Sequence, residues 1–120
     1  MDLFQKCNFI SHAGLQLNWK IEMDALSDAE WDTCATMIME YQKRPFYKAE
    51  GIPRGGVKLA NALNKYASGD PIDQVLICDD VYTTGTSMRE VYQQGAIGIV
   101  VFARNEITDD WIKAIWQMSI

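Results

Sequence analysis

Two adjacent carboxylates and a group of hydroxyl residues stand close together in the middle of the chain. Asp79 and Asp80 follow an apolar run, Val75–Cys78, and precede a polar turn with the residues Thr83, Thr84, Gly85, Thr86 and Ser87. Paired carboxylates can accept hydrogen bonds from sugar hydroxyls, and hydroxyls with free N–H groups at a helix N-terminus can hold phosphate. The segment therefore predicts a sugar-phosphate site, with a polar turn that binds nothing as the alternative.

A second glycine-rich segment precedes this one by one strand and one helix. It reads Gly51-Ile52-Pro53-Arg54-Gly55-Gly56. Glycines let backbone N–H groups approach an anion without a Cβ in the way, and the Arg54 side chain can present a fork of donors to phosphate oxygens. The segment predicts a second anion site, and a plain tight turn is the alternative.

Strands and helices alternate around these two segments. Apolar runs predict buried strands over 46–49, 74–78 and 97–103, and alternation predicts a half-buried strand over 15–21. Helices are predicted over 28–43, with a capping box at its start, over 57–66 and to about residue 93, where Gly95 follows as the C′ residue. Thr108-Asp109-Asp110 predicts the cap of a final helix that carries Trp111, Ile112, Ile115 and Trp116.

This order is typical of one α/β domain over 1–120. We expect a Rossmann-like parallel sheet with helices on both faces and a small N-terminal strand/helix addition. In such sheets ligands bind beyond the carboxyl ends of the strands, where both polar segments fall.

Composition narrows the range of partners. The 120-residue chain carries a net charge of −5 and a pI near 4.7, which argues against nucleic-acid binding and requires any phosphate site to be locally basic. No run approaches a membrane span, and the N-terminus lacks signal-peptide order. Three cysteines without metal-binding or disulfide spacing, with Cys78 inside the buried run, favour a reducing cytoplasm.

The whole segment from the apolar run to Met88 carries a family resemblance. Val-Leu-Ile-Cys-Asp-Asp-Val-Tyr-Thr-Thr-Gly-Thr-Ser-Met resembles the phosphoribosyl-pyrophosphate motif of the type I phosphoribosyltransferases. The resemblance implies that fold, with Asp79 and Asp80 as the catalytic acids on the ribose. It implies a 5′-phosphate site at Thr83, Thr84, Gly85, Thr86 and Ser87, and a pyrophosphate site at Arg54, Gly55 and Gly56. It also implies Mg²⁺ bound through the substrate, with the two aspartates as its candidate protein ligands.

Two further segments resemble the orotate-type branch of the family. Val101–Glu106 is similar to its base-side loop, which makes Arg104 the candidate base contact; the alternative is a surface arginine paired with Glu106 or Asp109. Phe9–Gly14 and Leu17–Ile21 resemble its N-terminal segment, so Trp19 is either a base-stacking or a core residue. Lys20 and Ile21 stand where those enzymes carry aromatics, which leaves the base open. His12 is expected to be structural.

The resemblance implies transfer of a phosphoribosyl group to a nitrogenous base with release of pyrophosphate. Family members carry a flexible lid between the two site segments, and residues 57–73 are too few for one. A sensor that binds the sugar or a nucleotide without turnover is therefore the alternative, and transfer to water is a third. A homodimer in which a partner supplies the lid is also expected, since four tryptophans are available for an interface.

Overall fold

A computed structural model describes residues 1–10, 14 and 16–118 of the chain. The expectations for His12, for the rest of the turn over 11–13 and for Leu15 lie outside the described residues.

Four parallel strands form the main sheet in the order β3-β4-β5-β6. They span Phe46–Gly51 (β3), Gln74–Tyr82 (β4), Ile97–Ala103 (β5) and Ile112–Gln117 (β6). The two central strands are nearly continuous apolar runs, as strands buried on both faces require.

Helices cover both faces of this sheet, as the sequence predicts. On one face α1 (Asp28–Tyr41) and α2 (Val57–Leu63) pack over alternate residues of the central strands, such as Leu76 and Ile99. On the other face the five-residue α3 (Thr86–Glu90) buries Met88 against Ile77 and Val100. Cys78 is fully buried, and burial raises the pKa of its thiol, so it serves as a small apolar core residue.

An antiparallel hairpin precedes the sheet. It consists of β1 (Phe4–Ile10) and β2 (Gln16–Ile21), and a short 3₁₀ turn over Met23–Ala25 links it to α1. The predicted strand at 15–21 is confirmed by β2. At the start of α1 the predicted capping box is present, since Ser27 accepts from the Glu30 N–H and Glu30 accepts from the Ser27 N–H.

The predicted extent of the helix after β4 is wrong, and so is its predicted C′ residue. The helix expected to reach residue 93 ends at Glu90, because Val91 and Tyr92 close it with tight turns to Met88 and Arg89. Gly95, with φ of +82°, lies in the turn before β5 and is not the helix C′ residue.

The final segment is an edge strand and not a helix. Thr108-Asp109-Asp110 is not a helix cap. The Asp109 carboxylate instead accepts hydrogen bonds from Tyr82 and Arg89. Ile112 and Ala114 then face one side of the sheet while Ile115 faces the other. Spacings of two and three both fit these apolar residues, so the sequence pattern alone did not separate strand from helix.

The outer edge of β3 is closed by side-chain and loop hydrogen bonds. The Asn64 side chain accepts from the Ala49 N–H at 2.8 Å and donates to the Ala49 carbonyl at 3.0 Å. Just beyond, the N–H groups of Ser68 and Gly69 donate to the carbonyls of Phe46 and Tyr47. These bonds satisfy backbone groups that an exposed sheet edge would leave open.

No helix in the described ranges has the length and apolar character needed to cross a membrane.

We expect Asn64→Ala to lower the free energy of unfolding by about 1–2 kcal/mol, because two hydrogen bonds to the β3 backbone are lost. Urea denaturation measures this. The matched control is Asn61→Ala, an exposed asparagine in the same helical segment. Equal effects of the two substitutions would contradict an edge-closing role for Asn64.

Candidate functional site

A cavity of about 700 Å³ opens at the carboxyl ends of β3, β4 and β5. Its walls come from the hairpin, the loop after β3, the end of β4 and the turn into α3. The structure therefore brings the two predicted polar segments together around one space.

Asp79 and Asp80 lie inside β4, which continues to Tyr82, four residues past the predicted end of the strand. The Asp79 carboxylate accepts from the Asp80 N–H at 2.8 Å, and the Asp80 carboxylate accepts from the Val81 N–H at 2.7 Å. Burial, reinforced by the neighbouring Asp80, raises the pKa of Asp79 to about 8. The pair therefore retains a proton near neutral pH.

The loop after β3 approaches these acids so closely that only glycine fits. A Cβ on Gly55 would lie 2.2 Å from an oxygen of the Asp80 carboxylate. A Cβ on Gly56 would lie 2.6 Å from the Cys78 carbonyl oxygen and 3.0 Å from the Asp79 Cα. At Gly56 the close atoms belong to the backbone, so steric approach and not a left-handed backbone requires glycine, whereas a side chain at Gly55 would displace the Asp80 carboxylate.

The two glycines differ in their access to the cavity. Gly55 lines it, whereas Gly56 is buried beneath it. The Gly56 N–H donates to the Ile52 carbonyl at 2.8 Å, so this donor is already used within the turn.

Arg54 stands at the rim of the cavity with 88% of its side chain exposed. Its Nη2 donates to the Asp24 carboxylate at 2.9 Å. The sequence did not predict this partner, which reaches Arg54 from the 3₁₀ turn after the hairpin.

The hydroxyl-rich turn lines the opposite wall. Gly85 has φ of +81°, a left-handed conformation that favours glycine, and directly precedes α3. The Thr84 and Thr86 hydroxyls lie 3.0 Å apart. In the described part of the chain, the amide N–H groups of residues 83–87 have no backbone acceptor, so they remain available as donors.

Residues from the segment after β5 hold this turn in place. The Asn105 side chain donates to the Thr83 carbonyl at 2.9 Å. Asp109 accepts from Tyr82 Oη and from Arg89 at 2.8 Å each, and its carboxylate lies directly behind Gly85. The sequence analysis singles out Asp109, but as a helix cap and not as the acceptor that holds this turn.

Arg104 is 6% exposed and lines the cavity. Its guanidinium lies 3.7 Å from the centroid of the Trp19 ring, and burial lowers the pKa of Arg104. The alternative of a surface arginine paired with Glu106 or Asp109 is wrong, because Arg104 is buried and Asp109 pairs with Arg89.

Trp19 is not a core residue, and its alternative role of stacking on a base stays a prediction. It is half-buried, it makes an edge-to-face contact with Phe102, and among the described residues it supports Arg104 from behind without lining the cavity itself.

The cavity is richer in acids than in bases. Among the described residues, five acidic and three basic side chains line it: Glu22, Asp24, Asp79, Asp80 and Glu90, with Lys20, Arg54 and Arg104. The expectation of a locally basic phosphate site is therefore wrong. Two of the cations are already paired, Lys20 with Glu22 at 3.0 Å and Arg54 with Asp24, and Arg104 has no salt bridge within the described residues.

Across residues 1–10, 14 and 16–118, no group of three or more His, Cys, Asp or Glu side chains is arranged to hold a metal ion.

Solved structures share this architecture. Orotate phosphoribosyltransferase from Aeropyrum pernix matches with a TM-score of 0.76 and 19% identity, over 96% of this chain and 88% of that one. The Leishmania donovani UMP synthase matches with a TM-score of 0.77 and 17% identity, over 97% of this chain but only 34% of that protein. The Francisella tularensis orotate phosphoribosyltransferase has a TM-score of 0.62 at 15% identity, over 96% of this chain and 80% of that one.

The chain has the type I phosphoribosyltransferase fold. No model of a protein family and no curated protein matches its sequence. The predicted fold is thus confirmed by structure at identities where sequence comparison finds nothing.

In this phosphoribosyltransferase fold the acid pair should make stability depend on pH. The folded protein keeps a proton on the pair from about pH 4 to about pH 8, whereas the unfolded chain loses it near pH 4. The free energy of unfolding contributed by Asp79 is therefore highest below pH 4 and falls as pH rises towards 8.

We expect Asp79→Asn to remove this loss. The difference in the free energy of unfolding, variant minus wild type, should increase between pH 5 and pH 8. The increase should exceed about 1.4 kcal/mol, the equivalent of one pKa unit. Denaturant titrations at several pH values measure it, with the exposed Asp110→Asn as control. A difference that does not change with pH would contradict the raised pKa.

Proposed function

We propose that this protein binds 5-phosphoribosyl 1-pyrophosphate with Mg²⁺ and transfers the phosphoribosyl group to a nitrogenous base. One observation carries the proposal: a half-buried acid pair, a hydroxyl turn with free amides, an arginine-glycine loop and a buried arginine surround a single cavity. Its dimensions suit the substrate, since cavities of 300–1,000 Å³ are typical of small-molecule sites.

The hydroxyl turn is the proposed 5′-phosphate site. Its donors are the hydroxyls of Thr83, Thr84, Thr86 and Ser87 together with the amides around Gly85. Tyr82, Asn105 and Asp109 fix the turn before ligand arrives, so little conformational entropy is lost on binding.

Asp79 and Asp80 would accept hydrogen bonds from the ribose hydroxyls. Cleavage at C1 develops positive charge on the sugar ring, as in glycoside hydrolysis. Carboxylates that are held by the N–H group of the following residue stabilise such charge without reorganisation. The same charge favours loss of the proton that the pair retains near neutral pH.

The acid-rich cavity supports a requirement for Mg²⁺. In the described lining a bare pyrophosphate would meet five acidic and three basic side chains, whereas a magnesium complex brings its own positive charge. Mg²⁺ prefers phosphate oxygens and water with one or two carboxylates, so Asp79 and Asp80 are its candidate protein ligands. The bound ion would neutralise charge on the leaving pyrophosphate, and Arg54 with the Gly55 amide would bind that group.

Arg104 is the proposed contact to the base. It is buried, it is backed by Trp19, and within the described residues it forms no salt bridge with a carboxylate. A buried guanidinium without an anionic partner favours an acceptor base that presents oxygen atoms.

We expect phosphoribosyl pyrophosphate with Mg²⁺ to raise the melting temperature. A ligand at ten times its dissociation constant adds about 1.4 kcal/mol, which corresponds to a shift of about 4–8 °C. Asp79→Asn combined with Asp80→Asn should abolish most of the shift, and differential scanning fluorimetry measures it.

Glu90→Gln is the matched control for this experiment. It also removes a carboxylate from the cavity wall, but from an exposed position on α3, so the shift should persist or increase. The absence of any shift at millimolar ligand in the wild type would overturn the proposed function.

A sensor that binds the same ligand without turnover is the second candidate. Residues 57–73 are fully described, and α2, a 3₁₀ turn and the connection to β4 use all of them, so this interval holds no lid. A lid normally excludes water from the reacting sugar. The proposed source of a lid is the partner subunit of a homodimer, since Trp116 and Met118 are exposed at the edge strand β6.

Release of pyrophosphate distinguishes the two candidates. We expect at least one base from a panel of purines, pyrimidines and pyridine carboxylates to raise the release rate above that with water alone. Arg104→Gln should raise KM for that base by about tenfold or more, since loss of a charge-assisted hydrogen bond costs about 1.5–3 kcal/mol. A ligand that binds while every base leaves the rate at background would favour the sensor; release without any base would indicate hydrolysis.

A further inference from the structure

Arg54 is the one cationic side chain assigned to the proposed pyrophosphate site, and it already pairs with a protein carboxylate. Its guanidinium pairs with Asp24 at 2.9 Å, and both residues line the cavity. The pair is at the rim, with 88% of the Arg54 side chain and 38% of the Asp24 side chain exposed.

The position of Asp24 does not depend on this pairing. Asp24 lies in the 3₁₀ turn Met23–Ala25, which is anchored on both sides. Met23 is 4% exposed within the core beneath α1, and Leu26 packs against the same core. Arg54, by contrast, has a long and exposed side chain on a loop. When the pair separates, it is therefore the arginine that moves and the carboxylate that stays.

We propose that Asp24 competes with pyrophosphate for Arg54 and thereby sets how tightly the protein retains this group. The inference rests on the proposed function. An exposed ion pair contributes little free energy, so a pyrophosphate with several negative oxygens displaces Asp24 from Arg54. The displaced carboxylate then stands close to the bound anion and weakens its binding.

This competition has a clear consequence for the reaction. Both partners of the pair lie on the proposed pyrophosphate side of the cavity, and among the described residues no hydrogen bond or ion pair joins either of them to the ribose acids or the hydroxyl turn. Asp24 therefore weakens the retention of released pyrophosphate without weakening the 5′-phosphate contacts that the substrate and the nucleotide product share.

Isothermal titration with inorganic pyrophosphate, with and without Mg²⁺, tests the proposal. Asp24→Asn keeps the size of the side chain and removes its charge. It should tighten pyrophosphate binding by about two- to fivefold, the range that exposed ion pairs support. Binding of inorganic phosphate at the hydroxyl turn should not change.

Three comparisons separate competition from a general loss of negative charge. Glu22→Gln removes a neighbouring cavity carboxylate that pairs with Lys20, and it should have less effect than Asp24→Asn. In an Arg54→Gln background, Asp24→Asn should no longer tighten binding. Asp32→Asn breaks an exposed pair with Lys65 of the same 2.9 Å length, outside the cavity lining, and should change nothing.

The outcomes are distinct. Pyrophosphate that binds the wild type and Asp24→Asn equally, or the variant more weakly, overturns the inference alone. Equal tightening by Glu22→Gln, or tightening that persists without Arg54, also overturns it. Pyrophosphate that binds neither protein under either condition overturns the proposed pyrophosphate site, and this inference with it.

Discussion

The close approach of the loop after β3 to the end of β4 is the constraint on which the site depends. Gly55 lies against the Asp80 carboxylate and Gly56 against the backbone of Cys78 and Asp79. No other residue type fits there without moving the sheet or the acids. This contact places an arginine, two acidic side chains and an open cavity next to one another, and it also reduces the exposure of Asp79 to water. The raised pKa of Asp79 is thus a direct result of packing.

Electrostatics in the cavity follow from that burial. A protein with a net charge of −5 could have concentrated its cations at a phosphate site, yet the described lining has more acids than bases. The proton on the acid pair and the pairing of Arg54 and Lys20 with acids reduce the exposed charge of both signs. In the proposed function, such a lining favours an anion that arrives with a cation over a bare anion.

The sequence predicted those features that depend on local chemistry. The strand–acid–turn segment, the glycine loop and the capping box at Ser27 each use neighbours within a few residues. The structure has all three, although β4 continues through both acids to Tyr82. The 5′-phosphate, pyrophosphate and base assignments stay predictions. The wrong predictions concern residues whose roles are set by contacts with residues far away in the sequence. Asp109 serves Tyr82 and Arg89 in place of a helix cap, and Trp19 packs on Arg104 from a separate hairpin. No local pattern reports such contacts.

The short connection between α2 and β4 affects stability as well as turnover. A parallel sheet needs both edges protected, and at the β3 edge Asn64, Ser68 and Gly69 supply the hydrogen bonds that a further strand would otherwise make. Because those bonds come from the interval itself, its residues cannot also extend over the cavity. Edge protection and site closure therefore compete for the same seventeen residues, 57–73, and in this chain edge protection takes them. Any closure of the cavity has to come from outside this interval.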